Sequence, residues 1–142
     1  MKDDKLSIQS MDFAISIIEL VKSLKEKRES IISNQIGRSG TSIGANIREA
    51  YYAHGKEDFI AKLQIALKEA NETGYWLELL FKTNYIDEST YKALYNACTS
   101  IRVMLISSSV TYLSTYANLY VSQSITPFPR LILMLSASFG IA

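Results

Sequence analysis

The chain has 142 residues, 48% of them hydrophobic, enough for one domain with its own core. Fifteen basic residues against fourteen acidic ones leave a formal charge of +1, so no global field draws the molecule to nucleic acid. One cysteine, Cys98, excludes an intrachain disulfide, and with His54 as the only histidine a Cys/His zinc site cannot be assembled within one chain.

The opening Met1-Lys2-Asp3-Asp4-Lys5-Leu6-Ser7 is charged and lacks an apolar signal core with a small-residue cleavage site, which predicts a cytoplasmic protein. Phe13, Ile17, Leu20 and Leu24, flanked by Ala14, Ile18 and Val21, follow helical spacing and predict a first amphipathic helix over 10–28. The run Lys25-Glu26-Lys27-Arg28-Glu29 mixes signs, which favours a solvated helix end over a ridge facing RNA.

A second helix is predicted over 31–53 although it holds Gly37, Gly40 and Gly44, each costing ~1 kcal/mol against alanine. Ile36, Gly40, Ile43, Ile47 and Ala50 recur at spacings of three and four, so one face is apolar, partly stripped of side chains and open to close approach by another helix. Beside it Ser39, Ser42, Asn46 and Glu49 form a polar line suited to interhelical contacts. His54 in the last turn and Gly55 just beyond predict the stop.

The third helix is predicted over 57–84, opening on Glu57-Asp58 at the positive end of the helix dipole, with Phe59, Leu63, Ala66, Ala70, Leu77 and Leu80 inward. Tyr75 and Trp76 read as core or interface anchors. The link Asn84-Tyr85-Ile86-Asp87 is short, with Asp87 a natural N-cap, so the fourth helix, over 88–106, lies antiparallel to the third. Its inner stripe is Tyr91, Leu94, Cys98, Ile101 and Leu105, which makes Cys98 a small core residue. Residues 1–106 thus read as the core. Residues 107–142 read as an uncharged extension, Arg130 apart, in which a helix continues before Pro127 and Pro129 stop it. Its last twelve residues are too few for a bilayer span, which needs roughly 20. A packed tail, an intersubunit arm and a peripheral membrane contact stay open, in that order.

Three segments carry a resemblance. They are Gln35-x-x-Arg38-Ser39-x-x-Ser42-Ile43-x-Ala45-Asn46-Ile47-x-Glu49-Ala50, then Asp58-Phe59, then Leu63-x-Ile65-Ala66-x-x-Glu69-Ala70-x-Glu72, with Tyr85-Ile86 before the last helix. In order and spacing the chain resembles the small four-helix-bundle proteins encoded in intervening sequences of bacterial 23S rRNA genes. The resemblance implies an all-α, up-and-down antiparallel four-helix bundle that assembles into a ring-shaped homo-oligomer, commonly a pentamer, without established catalytic activity. Relatives include the accessory protein of diversity-generating retroelements, which looks like a ring-shaped nucleic-acid-binding partner of a reverse transcriptase. Family members often end the fourth helix in a basic stretch, and this chain does not. The motif residues Gln35, Arg38, Ser39, Ser42, Asn46, Glu49, Asp58, Phe59, Glu69 and Glu72 are read as structural or interface positions.

The sequence therefore predicts a binding or scaffold protein and no enzyme, cofactor or metal site. Its glycines lie within helical periodicity with no following Gly-Lys-Ser/Thr, so no phosphate loop is present. Glu69, Glu72 and Glu78 lack the Glu-x-x-His partners of a di-iron bundle. Arg38 and Arg48, ten residues apart, stand about 15 Å apart along a helix and are the candidate contacts to RNA or DNA. The competing reading pairs Arg38 with Glu49, Glu69 or Glu72, and a protein-partner scaffold without nucleic-acid binding is the alternative function. A membrane role and a metal-dependent enzyme rank behind both.

Overall fold

A computed structural model describes residues 4–122, and among them every element is a helix: α1 (Lys5–Glu26), α2 (Ile31–Tyr51), α3 (Lys56–Lys82) and α4 (Glu88–Ser122). α1 starts five residues before the predicted position. Asp4, in extended backbone, accepts a hydrogen bond from the Ser7 N–H at 2.8 Å, and Leu6 adds one more turn to the buried stripe.

α1 and α3 both end in the same way. The Glu29 N–H reaches the Leu24 carbonyl and the Arg28 N–H the Lys25 carbonyl, both at 2.9 Å. The Tyr85 and Asn84 N–H groups repeat the pattern on Leu80 and Phe81, at 2.9 and 3.0 Å. Each is a Schellman closure, and its pivot takes a left-handed backbone, φ 59° at Arg28 and 60° at Asn84. The α2–α3 link differs. α2 stops at Tyr51, so His54 lies beyond the helix instead of in its last turn, and Gly55 is the extended N-cap of α3 instead of the terminator of α2.

The helices form a closed antiparallel cycle within the first of two compact units, which runs through Ser107. Ser10, Ile17 and Val21 of α1 oppose Gly44, Gly40 and Gly37 of α2. Arg38 and Glu49 of α2 pair with Glu72 and Lys62 of α3. Cys98 of α4 donates its thiol hydrogen to the Ala70 carbonyl of α3 at 3.2 Å, and Tyr91 stacks on Phe81 with centroids 4.7 Å apart. Ser100 and Gln9 meet at 3.2 Å, and Lys27 donates to the Tyr85 carbonyl at 2.7 Å, bringing α4 back to α1. In each series residue numbers fall on one helix as they rise on the other. The predicted inner stripes fill this core: Ile17, Leu24, Ile36, Ile43, Leu77, Leu80, Cys98 and Leu105 are fully enclosed.

α4 runs past the predicted 106 and across Ser107-Ser108-Ser109 to Ser122. In the second unit, which begins at Ser108, the Thr115 hydroxyl donates to the Thr111 carbonyl at 2.9 Å. The predicted stop at Pro127 and Pro129 and the alternatives for the final segment lie outside the described residues.

Candidate functional site

The motif residues converge on the seam between α2 and α3. At its centre Ser39 and Thr73 are fully buried, and their hydroxyl oxygens lie 2.9 Å apart. Thr73 Oγ1 also lies 2.8 Å from the Glu69 carbonyl oxygen. Both hydroxyls are satisfied if Thr73 donates to that carbonyl and Ser39 donates to Thr73. The pair is worth ~1 kcal/mol net, and truncating one partner strands the other.

Beside this pair, on the exposed edge of the seam, the Arg38 guanidinium spans two carboxylates. Nη1 donates to Glu69 Oε2 at 3.2 Å and Nη2 to Glu72 Oε1, which also accepts from the Trp76 indole at 3.2 Å. The Arg38 hydrogen bond holds the Glu72 carboxyl below the usual range and raises the Arg38 pKa in turn. The Arg38 side chain is nevertheless 51% exposed, against 14% for Glu69, so its outer edge faces solvent. Of the three carboxylates the sequence offered Arg38, Glu69 and Glu72 take it. Glu49 instead pairs with Lys62 at 2.5 Å, raising the lysine's pKa.

The predicted polar line divides. Ser39 crosses the seam, whereas Asn46 donates back to the Ser42 carbonyl of its own helix at 2.8 Å. Gln35 is exposed. Asp58 lies 3.4 Å from the His54 N–H near the start of α3, and Phe59 packs partly buried against the core. Arg48 is exposed, takes part in none of the ion pairs among the described residues, and borders a shallow α1–α2 groove of about 470 Å³.

Sequence reasoning missed two polar residues. Thr73 sits within an apolar stripe, and its role is legible only with Ser39 facing it. Glu29, in the charged run read as a solvated end, is 7% exposed and caps α2, accepting from the Ile32 and Ser33 N–H groups at 2.8 and 2.7 Å. The other four residues of that run are exposed as expected.

The glycine-bearing face meets α1. A Cβ at Gly40 would lie 2.9 Å from two carbons of Ile17, one at Gly37 3.2 Å from Val21, and one at Gly44 no closer than 3.4 Å to Ser10. Cys98 is enclosed, and burial pushes its thiol up to about 11. No group of three or more His, Cys, Asp or Glu among the described residues could hold a metal ion, and no described helix is long and apolar enough to cross a membrane.

Residues 2–107 match a family model described as 23S rRNA-intervening sequence protein. Among solved structures, the chain is similar to a protein with unknown function from the S23 ribosomal protein family of Bacteroides thetaiotaomicron VPI-5482. Identity is 53% and the TM-score 0.72, over 73% of this chain and 97% of that one. No curated protein matches the sequence.

Proposed function

Since the chain belongs to the 23S rRNA-intervening sequence protein family, we propose that it is a non-catalytic, self-associating scaffold of the cytoplasm that binds a macromolecular partner. The observation that carries this reading is how the motif is used. Four of its five ionisable residues, Arg38, Glu49, Glu69 and Glu72, are engaged in holding α2 against α3, and the fifth, Asp58, faces the His54 N–H. A frame fixed in this way suits the presentation of a surface. The same commitment of Arg38 favours a protein partner over a polyanion, because a phosphate would have to compete with two carboxylates already in place.

Arg48 supports the second reading, an accessory factor for RNA or DNA akin to that of diversity-generating retroelements. It is exposed, outside the described ion pairs, and open to a phosphate oxygen.

Light scattering, combined with binding to a labelled structured RNA and a duplex DNA across a salt series, separates the readings. The scaffold reading expects an oligomer whose nucleic-acid binding is weak and nearly flat with salt. A steep fall of affinity with salt would report counterion release from phosphates and move the assignment to the accessory factor. In that case Arg48→Glu weakens binding and lowers the slope. A chain that stays monomeric overturns the self-associating reading.

A further inference from the structure

α1 is apolar on two faces. One is the core stripe. The other is Ile8, Met11, Ile15 and Ile18, all between 42% and 55% exposed on the side away from the bundle. Four aliphatic side chains in one line at 3-4-3 spacing differ from the scattered apolar residues of an ordinary surface. α3 carries an outer line with the same spacing, Ile65, Lys68, Glu72, Tyr75 and Leu79, of which Ile65 and Tyr75 are 41% and 58% exposed. The Glu72 carboxylate on this line is already paired with Arg38 and bonded to the Trp76 indole, and Lys68 brings an aliphatic stem.

The bundle sets the two lines at the same height. The levels can be traced through α2, by Ser10–Gly44 and then Arg38–Glu72 and Glu49–Lys62, or through α4, by Gln9–Ser100 and then Cys98–Ala70. Either way a residue of α1 stands level with the one roughly 57 places further on, in α3. α1 and α3 also run in the same direction, so a second copy turned about an axis parallel to the bundle lays its α3 along the first copy's α1 without slip. Ile8 then meets Ile65, Ile18 meets Tyr75, and Asp12 comes beside Lys68. Asp12 and Lys68 are both exposed and belong to none of the ion pairs among the described residues. The outer line of α4 fits less well. At level contact Met11, Ile15 and Ile18 would face Thr99, Asn96 and Lys92, and only Ile8 would find an aliphatic partner, Val103. We infer that the outer face of α1 is a self-recognition surface that takes the outer face of α3 from a second copy, head to tail.

This inference rests on the self-association proposed above and specifies its geometry. The two faces differ, so the contact is heterologous and leaves one of each open on every added copy. Both lines lie roughly 20° round their helices from the outermost position, on the α2 side, so successive copies turn the same way and the course bends toward a ring with α2 inward. The test uses sedimentation and light scattering of the full chain. Ile15→Asp, on the α1 face, and Tyr75→Asp, on the α3 face, should each reduce the particle to one chain while helical content and melting temperature stay near those of the parent. Mixed, the two variants should form a particle of two chains, because the intact α3 face of one still fits the intact α1 face of the other. Ile31→Lys, at an aliphatic side chain 78% exposed and off both lines, should leave the parent mass unchanged. Asp12→Lys should weaken association several-fold, and the double exchange Asp12→Lys with Lys68→Asp should restore it. An oligomer whose mass ignores Ile15→Asp or Tyr75→Asp, or a mixture that stays monomeric, overturns the inference and leaves self-association standing. A monomeric parent chain overturns both.

Discussion

At the residue scale, the glycines of α2 differ in what they permit. Alanine at Gly40 must push Ile17, whose β-branched side chain is locked in the core, so Gly40→Ala should destabilise by ~1–3 kcal/mol in spite of its helix propensity. Gly44→Ala meets only ordinary contacts and should stabilise by up to ~1 kcal/mol. Urea denaturation of the two variants measures the contrast. At Arg28 the left-handed backbone opposes a side chain, so Arg28→Gly should stabilise by ~1 kcal/mol, read as a rise in melting temperature. Tyr51 supplies a pH prediction. Burial and its hydrogen bond to Asp4 raise the phenol from 10.0 to about 12, so the folded state favours the protonated form. Its contribution is complete below pH 10 and is lost as pH rises toward 12. Tyr51→Phe should remove that part of the alkaline loss in a stability–pH curve.

At the element scale, the four stripes were legible because a period of 3.6 repeated over five to seven turns outweighs local exceptions such as the glycines. Ends and caps were less so. Asp4 is an ordinary N-cap hidden among other charges. Glu29 caps α2 from the position before Ser30, whose own side chain makes no capping bond, and glutamate within a mixed run reads as solvated. Glu29→Ala should cost ~1–2 kcal/mol, and hydrogen exchange should localise the loss to the first turn of α2. The sequence narrows the partners of Arg38 to three carboxylates. The antiparallel register of α2 and α3 then sets residue 38 opposite 69–72 and residue 49 opposite 62, a relation that neither helix shows alone. Glu72 is the group whose depressed pKa ties this seam to pH. Its contribution is present above the usual carboxylate range and is lost as pH falls through its lowered value, so Glu72→Gln should flatten part of the acid limb.

At the scale of the molecule, three of the four antiparallel contacts in the first unit join helices adjacent in sequence, and the α1–α4 contact joins the ends. Such topology has low contact order and predicts refolding in the microsecond to millisecond range, measurable by temperature-jump relaxation. Cys98 reports the same unit from within. Its enclosed thiol should resist an aqueous disulfide reagent in the native state and react on unfolding. The two Schellman closures stand at one end of the bundle, while the opposite end is spanned by Tyr52–Gly55, where a Cβ at Gly55 would touch nothing within 4 Å. A protease would find its cleanest entry there. Cutting that link leaves two helical hairpins still held together by the Ser39–Thr73 and Arg38–Glu72 contacts, so the nicked halves should co-elute. Encoded on separate messages, they should find one another again as a split protein.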